Sequence, residues 1–187
     1  DPDALAKWAS ANNLSFCLDS GVPRVCRPQV LGSLAQALAR GGVFHQVRGA
    51  SVPEVLEGVT ELLSFIPATH KAELLERLLA RDKLTSTGIG RGVAIPHPRD
   101  PIASLVTIPH IAACFLATPV DFQAVDDRPV SVLFVMLCPT VKEHLHLLSR
   151  LSFSLRQADF TAFLQSAPPA EALLEAVRTL EDGLDAP

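Results

Sequence analysis

The chain has 187 residues, 48% hydrophobic and 19% charged, which suits one ordinary domain with a short extra segment and excludes a disordered chain. Sixteen Lys and Arg against twenty Asp and Glu leave a net charge of −4, and one Trp, nine Phe and no Tyr leave few stacking surfaces. Neither a basic nor an aromatic nucleic-acid platform is therefore expected.

Residues 2–12 place Leu5 and Trp8 three apart and predict a short helix. Residues 13–29 carry Gly and two Pro and read as a linker. A helix over 29–40 is stopped by Gly41 and Gly42, and 43–47 (VFHQV) alternates as a strand. Ser51-Val-Pro-Glu54 has the spacing of a capping box with Pro in the first turn, so a helix starts there and runs to about Leu63. Residues 70–81 form an amphipathic helix with Leu74, Leu75, Leu78 and Leu79 on one face. Glycines at 88, 90 and 92 open into a short apolar strand over 93–95 that ends in Pro96-His97-Pro98.

The continuous apolar runs 111–118 and 130–138 read as buried strands, with a turn over 126–129 between them. They are too short for a membrane helix, which takes about 20 apolar residues. Thr140-Val-Lys-Glu143 is a second capping-box pattern opening a helix over 141–156. Helices near 158–166 and 169–181 follow. The order implies an α/β fold in which helices cover a small central sheet on both faces.

Charge is uneven: residues 1–50 carry five basic and three acidic groups, and 51–187 carry eleven and seventeen. The acidic excess suggests a basic protein partner. Cys17, Cys26, Cys114 and Cys138 lie far apart, and Cys114 and Cys138 sit inside apolar runs. With no signal-peptide pattern at the start and no disulfide framework, a reducing, cytoplasmic setting is expected.

His97 follows an apolar strand and is braced by a proline on each side. Pro98 biases His97 toward extended backbone, so its ring is either a well-held nucleophile or the exposed corner of a turn. His144 falls in the first turn of a capped helix and shares a face with Leu148 and Leu151. It is either a satisfied histidine at a core edge or a partner for an anion at a helix N-terminus. His146 shares its face with Arg150 and points toward solvent. Arg81 near a helix C-terminus is either a cation favoured by the helix dipole or a bidentate phosphate partner. The glycines form neither G-x-G-x-x-G nor a P-loop, and the histidines show no H-E-x-x-H or Cys pairing, so no cofactor and no metal is expected.

Residues 78–99, LLARDKLTSTGIGRGVAIPHPR, resemble the signature of IIA domains of the fructose/mannitol class of the bacterial phosphotransferase system, which includes the nitrogen-regulatory IIA proteins. The family pattern is roughly L-x-x-R-E-x-L-x-S-T-x-I-G-x-G-x-A-x-P-H, and its later E-H-L-x-x-L segment is matched by Glu143–Leu148. The likeness covers about residues 43–182. It implies a compact fold with a small mixed sheet flanked by helices. It also implies that His97 accepts a phosphoryl group from a phospho-HPr-type carrier, with His144 and Arg81 beside it. Ser86 and Thr87 match the motif's hydroxyl pair. Two departures stand out: Asp82 replaces Glu, and Pro98 follows the active histidine where Gly is common, which removes a backbone N–H.

The chain is thus expected to hold an N-terminal helical extension over 1–42, for which the tail of an upstream module is one reading, and a IIA-like domain over 43–187. Its expected role is that of a phosphohistidine carrier with a regulatory, nitrogen-type function. The rivals are a regulatory module of the same fold that binds partners without phosphorylation, and a metal-dependent enzyme. The regulated target or IIB-type acceptor is not specified by the sequence.

Overall fold

The computed structural model describes residues 15–19, 22–26 and 31–185. The chain divides into two compact units, Asp1–Leu31 and Gly32–Pro187. In the first, strands β1 (Ser15–Asp19) and β2 (Val22–Cys26) pair antiparallel, with Ser15 opposite Cys26 and Asp19 opposite Val22. The stretch expected to be a linker therefore contains a hairpin. Two short apolar-containing runs separated by two residues, one of them Gly, carry that signal, which Pro23 and Pro28 obscure. The helix expected over 2–12 lies outside the described residues.

The second unit contains helix α1 (Leu34–Gly41), strand β3 (Val43–Val47), helices α2 (Val52–Leu62) and α3 (Ala68–Leu84), and strands β4 (Gly88–Gly90), β5 (Val93–Ala94), β6 (His110–Val120) and β7 (Val130–Leu137). Helices α4 (Val141–Arg156), α5 (Ala158–Gln165) and α6 (Ala170–Asp185) complete it. The sheet order is β3-β6-β7-β5-β4. The β3–β6 and β5–β7 pairs are parallel, while β6–β7 and β4–β5 are antiparallel, so the sheet is mixed.

The continuous apolar runs of β6 and β7 make the two central strands, buried on both faces. Ile111, Ala113, Phe115, Phe134 and Met136 face a core shared with α1, α4, α5 and α6. Ala112, Cys114, Leu133, Val135 and Leu137 face a second core shared with α2 and α3. The period of two along each strand is what splits one apolar run between two layers. Part of the glycine-rich stretch ahead of β5 is itself a strand. Gly88–Gly90 forms an edge strand, turned into β5 at Arg91 and Gly92, both at positive φ (56° and 76°), the pattern of a type I′ hairpin. No helix among the described residues is long and apolar enough to cross a membrane.

Helix α1 sits in this second unit, which begins at Gly32. Its Leu34, Ala35, Ala37 and Leu38 are buried in the first core. Ser33 and Gln36 close a capping box at its start. The Glu181 carboxylate, buried on α6, accepts the backbone N–H groups of Leu34 (2.6 Å) and Ala35 (3.0 Å). An eight-residue helix is marginal alone, and this anion at its N-terminus satisfies donors that the core would otherwise leave unpaired.

At its other end, α1 runs hard against β6. A Cβ on Gly41 would stand 2.1 Å from the Ile111 carbonyl oxygen, an atom of the central strand that cannot retreat cheaply. Gly183 on α6 has nothing within 4 Å of the same position. Gly41→Ala should therefore destabilise the protein by about 1–3 kcal/mol or more. Gly183→Ala should be neutral or stabilise by about 0.5–1 kcal/mol. Denaturant unfolding of the two variants checks both signs.

Candidate functional site

The site is built where β5 runs out. Beyond Ala94 the chain remains tied to its neighbours: the Ile95 N–H donates to the Thr87 carbonyl (2.9 Å), and the Met136 N–H donates to the Pro96 carbonyl (2.9 Å). Pro96 and Pro98 are both buried, and His97 between them is half-buried. The backbone carrying His97 is therefore held by two ring constraints and by the edge of the central strand.

The His97 Nδ1 lies 2.7 Å from the Ile95 carbonyl oxygen. A carbonyl only accepts, so Nδ1 carries the hydrogen and the neutral ring keeps its lone pair on Nε2. Thr140 caps α4: its Oγ1 accepts from the Glu143 N–H (3.2 Å) and donates to the Glu143 carboxylate (2.6 Å). His144 is the fourth residue of that helix, and its ring centroid lies 5.0 Å from that of His97, the planes inclined by 39°.

Arg81 lies in the last turn of α3, and its guanidinium donates to the Thr85 carbonyl (2.9 Å). Burial is the main reason the His97 pKa falls below the ordinary 6.5; the Ile95 carbonyl opposes this and the Arg81 charge adds to it. Burial likewise lowers the His144 pKa, helped by His97 and then by Arg81. His97, His144 and Arg81, separated in sequence, thus meet in one electrostatic neighbourhood of two neutral imidazoles and a cation.

The hydroxyl pair is engaged close by. The Asp82 Oδ1 accepts both the Thr87 N–H (3.1 Å) and the Thr87 hydroxyl (2.8 Å), and the Ser86 hydroxyl donates to the Phe122 carbonyl. Asp82 is visible in the sequence only as a departure from a pattern, because a bond to a residue five positions on follows no standard capping spacing. Beside His144, a hollow of about 80 Å3 is lined by Pro98, Asp100, Ile102, Met136 and Cys138. Burial pushes the Cys114 and Cys138 thiols up to about 12, leaving both protonated and poor nucleophiles at neutral pH.

The remaining histidines do other things. His45 stacks on Phe115 and bonds the Pro168 carbonyl, and His110 stacks on Phe65 and bonds the Ile108 carbonyl. His146 does not simply point to solvent: it is half-buried in a cleft with Leu145, Arg150, Phe153 and Leu184. Among the described residues, no group of three or more His, Cys, Asp or Glu could hold a metal ion.

The family model described as the phosphoenolpyruvate-dependent sugar phosphotransferase system, EIIA 2, matches residues 36–179. A nitrogen regulatory protein of Pseudomonas aeruginosa is 41% identical over 153 residues, covering 80% of this chain and 97% of that protein. The crystal structure of the nitrogen regulatory protein IIA-Ntr from Neisseria meningitidis superposes with a TM-score of 0.68 at 31% identity, covering 77% of this chain and 98% of that one. The mannitol IIA of Escherichia coli shares the fold, with a TM-score of 0.60 at 19% identity and coverage of 74% and 96%.

The lowered imidazole pKa values set a pH dependence. His97, His144 and His110 all titrate below 6.5 in the folded chain. Between 6.5 and those lowered values, the unfolded chain takes up protons that the folded chain refuses. Stability should therefore fall as pH falls through that window, with no such loss above it. Thermal melting from about pH 7.5 down to about 5.5 should show the decline, and His97→Gln combined with His144→Gln should reduce it to the share of His110.

Proposed function

This chain belongs to the EIIA 2 family of the phosphoenolpyruvate-dependent sugar phosphotransferase system, and on that footing we propose that it is a phosphocarrier that takes a phosphoryl group on Nε2 of His97. The donor is a phospho-HPr-type protein. The observation that carries this reading is the bond from Nδ1–H to the Ile95 carbonyl, which leaves Nε2 as the nucleophilic nitrogen beside His144 and Arg81.

The step balances simply. The Nε2 lone pair attacks phosphorus, the Nε2–P bond forms, and the donor's N–P bond breaks with its electron pair left on the donor nitrogen. His97 needs to lose no proton, because the attacking nitrogen carries none. The ring gains positive character as the bond forms, and the Ile95 carbonyl at Nδ1–H stabilises it. Phosphoryl transfer asks mainly for positioning and charge neutralisation. Arg81 supplies a permanent positive charge, and His144 offers an N–H to the phosphoryl oxygens. Once the anion is in place its charge favours protonated His144, so the His144 pKa should rise on phosphorylation.

The partner arrives as a protein. Val141 and Leu145 flank His144 on α4 and are exposed by 57% and 58%, apolar surface of the kind a docked carrier covers. The likeness to nitrogen regulatory proteins supports a regulatory role over sugar delivery. On this reading the phosphoryl group or the fold passes a signal to a IIB-type acceptor or a regulated target in the cytoplasm. A second reading, a module that regulates a partner by contact alone, draws on the same exposed apolar pair.

Incubation with phosphoenolpyruvate, enzyme I and an HPr-type carrier, followed by intact mass, separates the two. One phosphate adduct is expected on the wild-type chain and none on His97→Ala. Arg81→Gln and His144→Gln should each slow uptake by about a hundredfold while the fold survives. An adduct that persists in His97→Ala overturns the assignment of the acceptor. A wild-type chain that gains no phosphate, yet holds a partner equally well as His97→Ala, would favour contact alone.

A further inference from the structure

Asp82, Ser86 and Thr87 take no part in the step just described, yet two of them are wired to its nucleophile. Thr87 is only 4% exposed, so its backbone N–H and hydroxyl each need a partner inside the protein. Asp82 provides both, with one carboxylate oxygen accepting from the N–H at 3.1 Å and from the hydroxyl at 2.8 Å. The Thr87 carbonyl accepts the Ile95 N–H at 2.9 Å. The Ile95 carbonyl in turn accepts Nδ1–H of His97 at 2.7 Å. An unbroken run of hydrogen bonds thus leads from the last turn of α3 to the imidazole.

The same turn grips the loop a second time. Arg81, next to Asp82, donates to the Thr85 carbonyl at 2.9 Å. Consecutive side chains of one helix therefore hold Thr85 and Thr87, and adjacent helical residues cannot move independently of each other. The cation and the nucleophile share a single mount.

We propose that Asp82, acting through Thr87, is a positioning residue that fixes the ring orientation and tautomer of His97 and its register with Arg81. The inference rests on the phosphoryl-acceptor reading of His97. Asp82 touches neither reactant. Its carboxylate anchors Thr87 by charge-assisted bonds, Thr87 anchors Ile95, and the Ile95 carbonyl keeps the proton on Nδ1. Without the anchor, the Ile95 carbonyl loses one of its fixed supports, and the ring becomes free to hold its proton on Nε2, which cannot attack. Small displacements at a reacting atom are costly, so a loose mount lowers the rate even where the fold survives.

The test uses the whole chain with Asp82→Ala, Thr87→Val and Thr87→Ser. Long-range proton–nitrogen NMR on the unphosphorylated protein reads the His97 tautomer, and phosphoryl uptake from an HPr-type carrier reads the rate. The wild-type ring should be in the Nδ1–H form alone. Asp82→Ala and Thr87→Val should each introduce the Nε2–H form and slow uptake about tenfold at saturating carrier, with the half-saturating carrier concentration unchanged. Thr87→Ser keeps the hydroxyl and should behave as wild type on both counts. A sole Nδ1–H form in Asp82→Ala or Thr87→Val overturns the proposal, as does an equal loss in Thr87→Ser. Thr87→Val removes one of Asp82's two bonds and preserves shape, so it decides the matter where Asp82→Ala does not fold. The tautomer measurement needs no phosphoryl donor, so a wild-type chain that takes up no phosphate would overturn the proposed function and leave the positioning result readable.

Discussion

The parallel pairing of β5 with β7 is the constraint on which the candidate site depends. β5 has only two residues in regular pairing, Val93 opposite Val132 and Ala94 opposite Leu133. A strand that short has little stability of its own. It is kept in place because β7 is itself the middle of the sheet, paired along much of its length with β6, and because the Gly92 carbonyl on one side and the Pro96 carbonyl on the other accept N–H groups from β7. The direction of the Ile95 carbonyl follows from that pairing, and the imidazole follows from the carbonyl. Two prolines then remove most of the remaining backbone freedom. The chemistry of one nitrogen is in this way referred back to the apolar runs that built the sheet.

Competing effects on the two imidazoles have a clear winner. For His97, the Ile95 carbonyl stabilises a protonated ring, while burial and the Arg81 charge disfavour it, and burial dominates. His144 has no such opposing carbonyl, and both of its charged neighbours reinforce burial. The pair is therefore neutral near pH 7 without either ring being paired to a carboxylate. A neutral pair within the influence of the Arg81 guanidinium adds no negative charge of its own, and the cation favours the arrival of an anion.

Much of this was legible in the sequence, for reasons that differ element by element. The long apolar runs could only be central strands, and their lengths excluded membrane spans. The leucine spacing of α3 and the Thr140 cap of α4 are local signals, and local signals survive folding. The meeting of His97 with His144 is not local: 47 residues separate them, and the spacing alone left each with a bland alternative, which the motif around residues 78–99 outweighed. The β1–β2 hairpin was hidden because proline argues against strands and is nonetheless tolerated in a two-stranded ribbon. β4 was hidden because three residues, two of them Gly, carry no periodicity. His146 was placed by helical phase alone, which does not foresee the approach of Leu184 from α6. The placement of α1 depended on a carboxylate at the far end of the chain, which no window of sequence contains.

That carboxylate has a consequence for how the protein comes into being. Leu34 and Glu181 are 147 residues apart, so α1 gains this part of its cap only when nearly the whole domain has been synthesised. Until then an eight-residue helix with exposed leucines has little to hold it, and the β3–β6 edge it leans on is itself a long-range pairing. A chain emerging from the ribosome therefore lacks this part of the α1 cap until α6 has been made. The domain's first helix is tied to its last, and removing α6 would leave the Leu34 and Ala35 N–H groups without that acceptor.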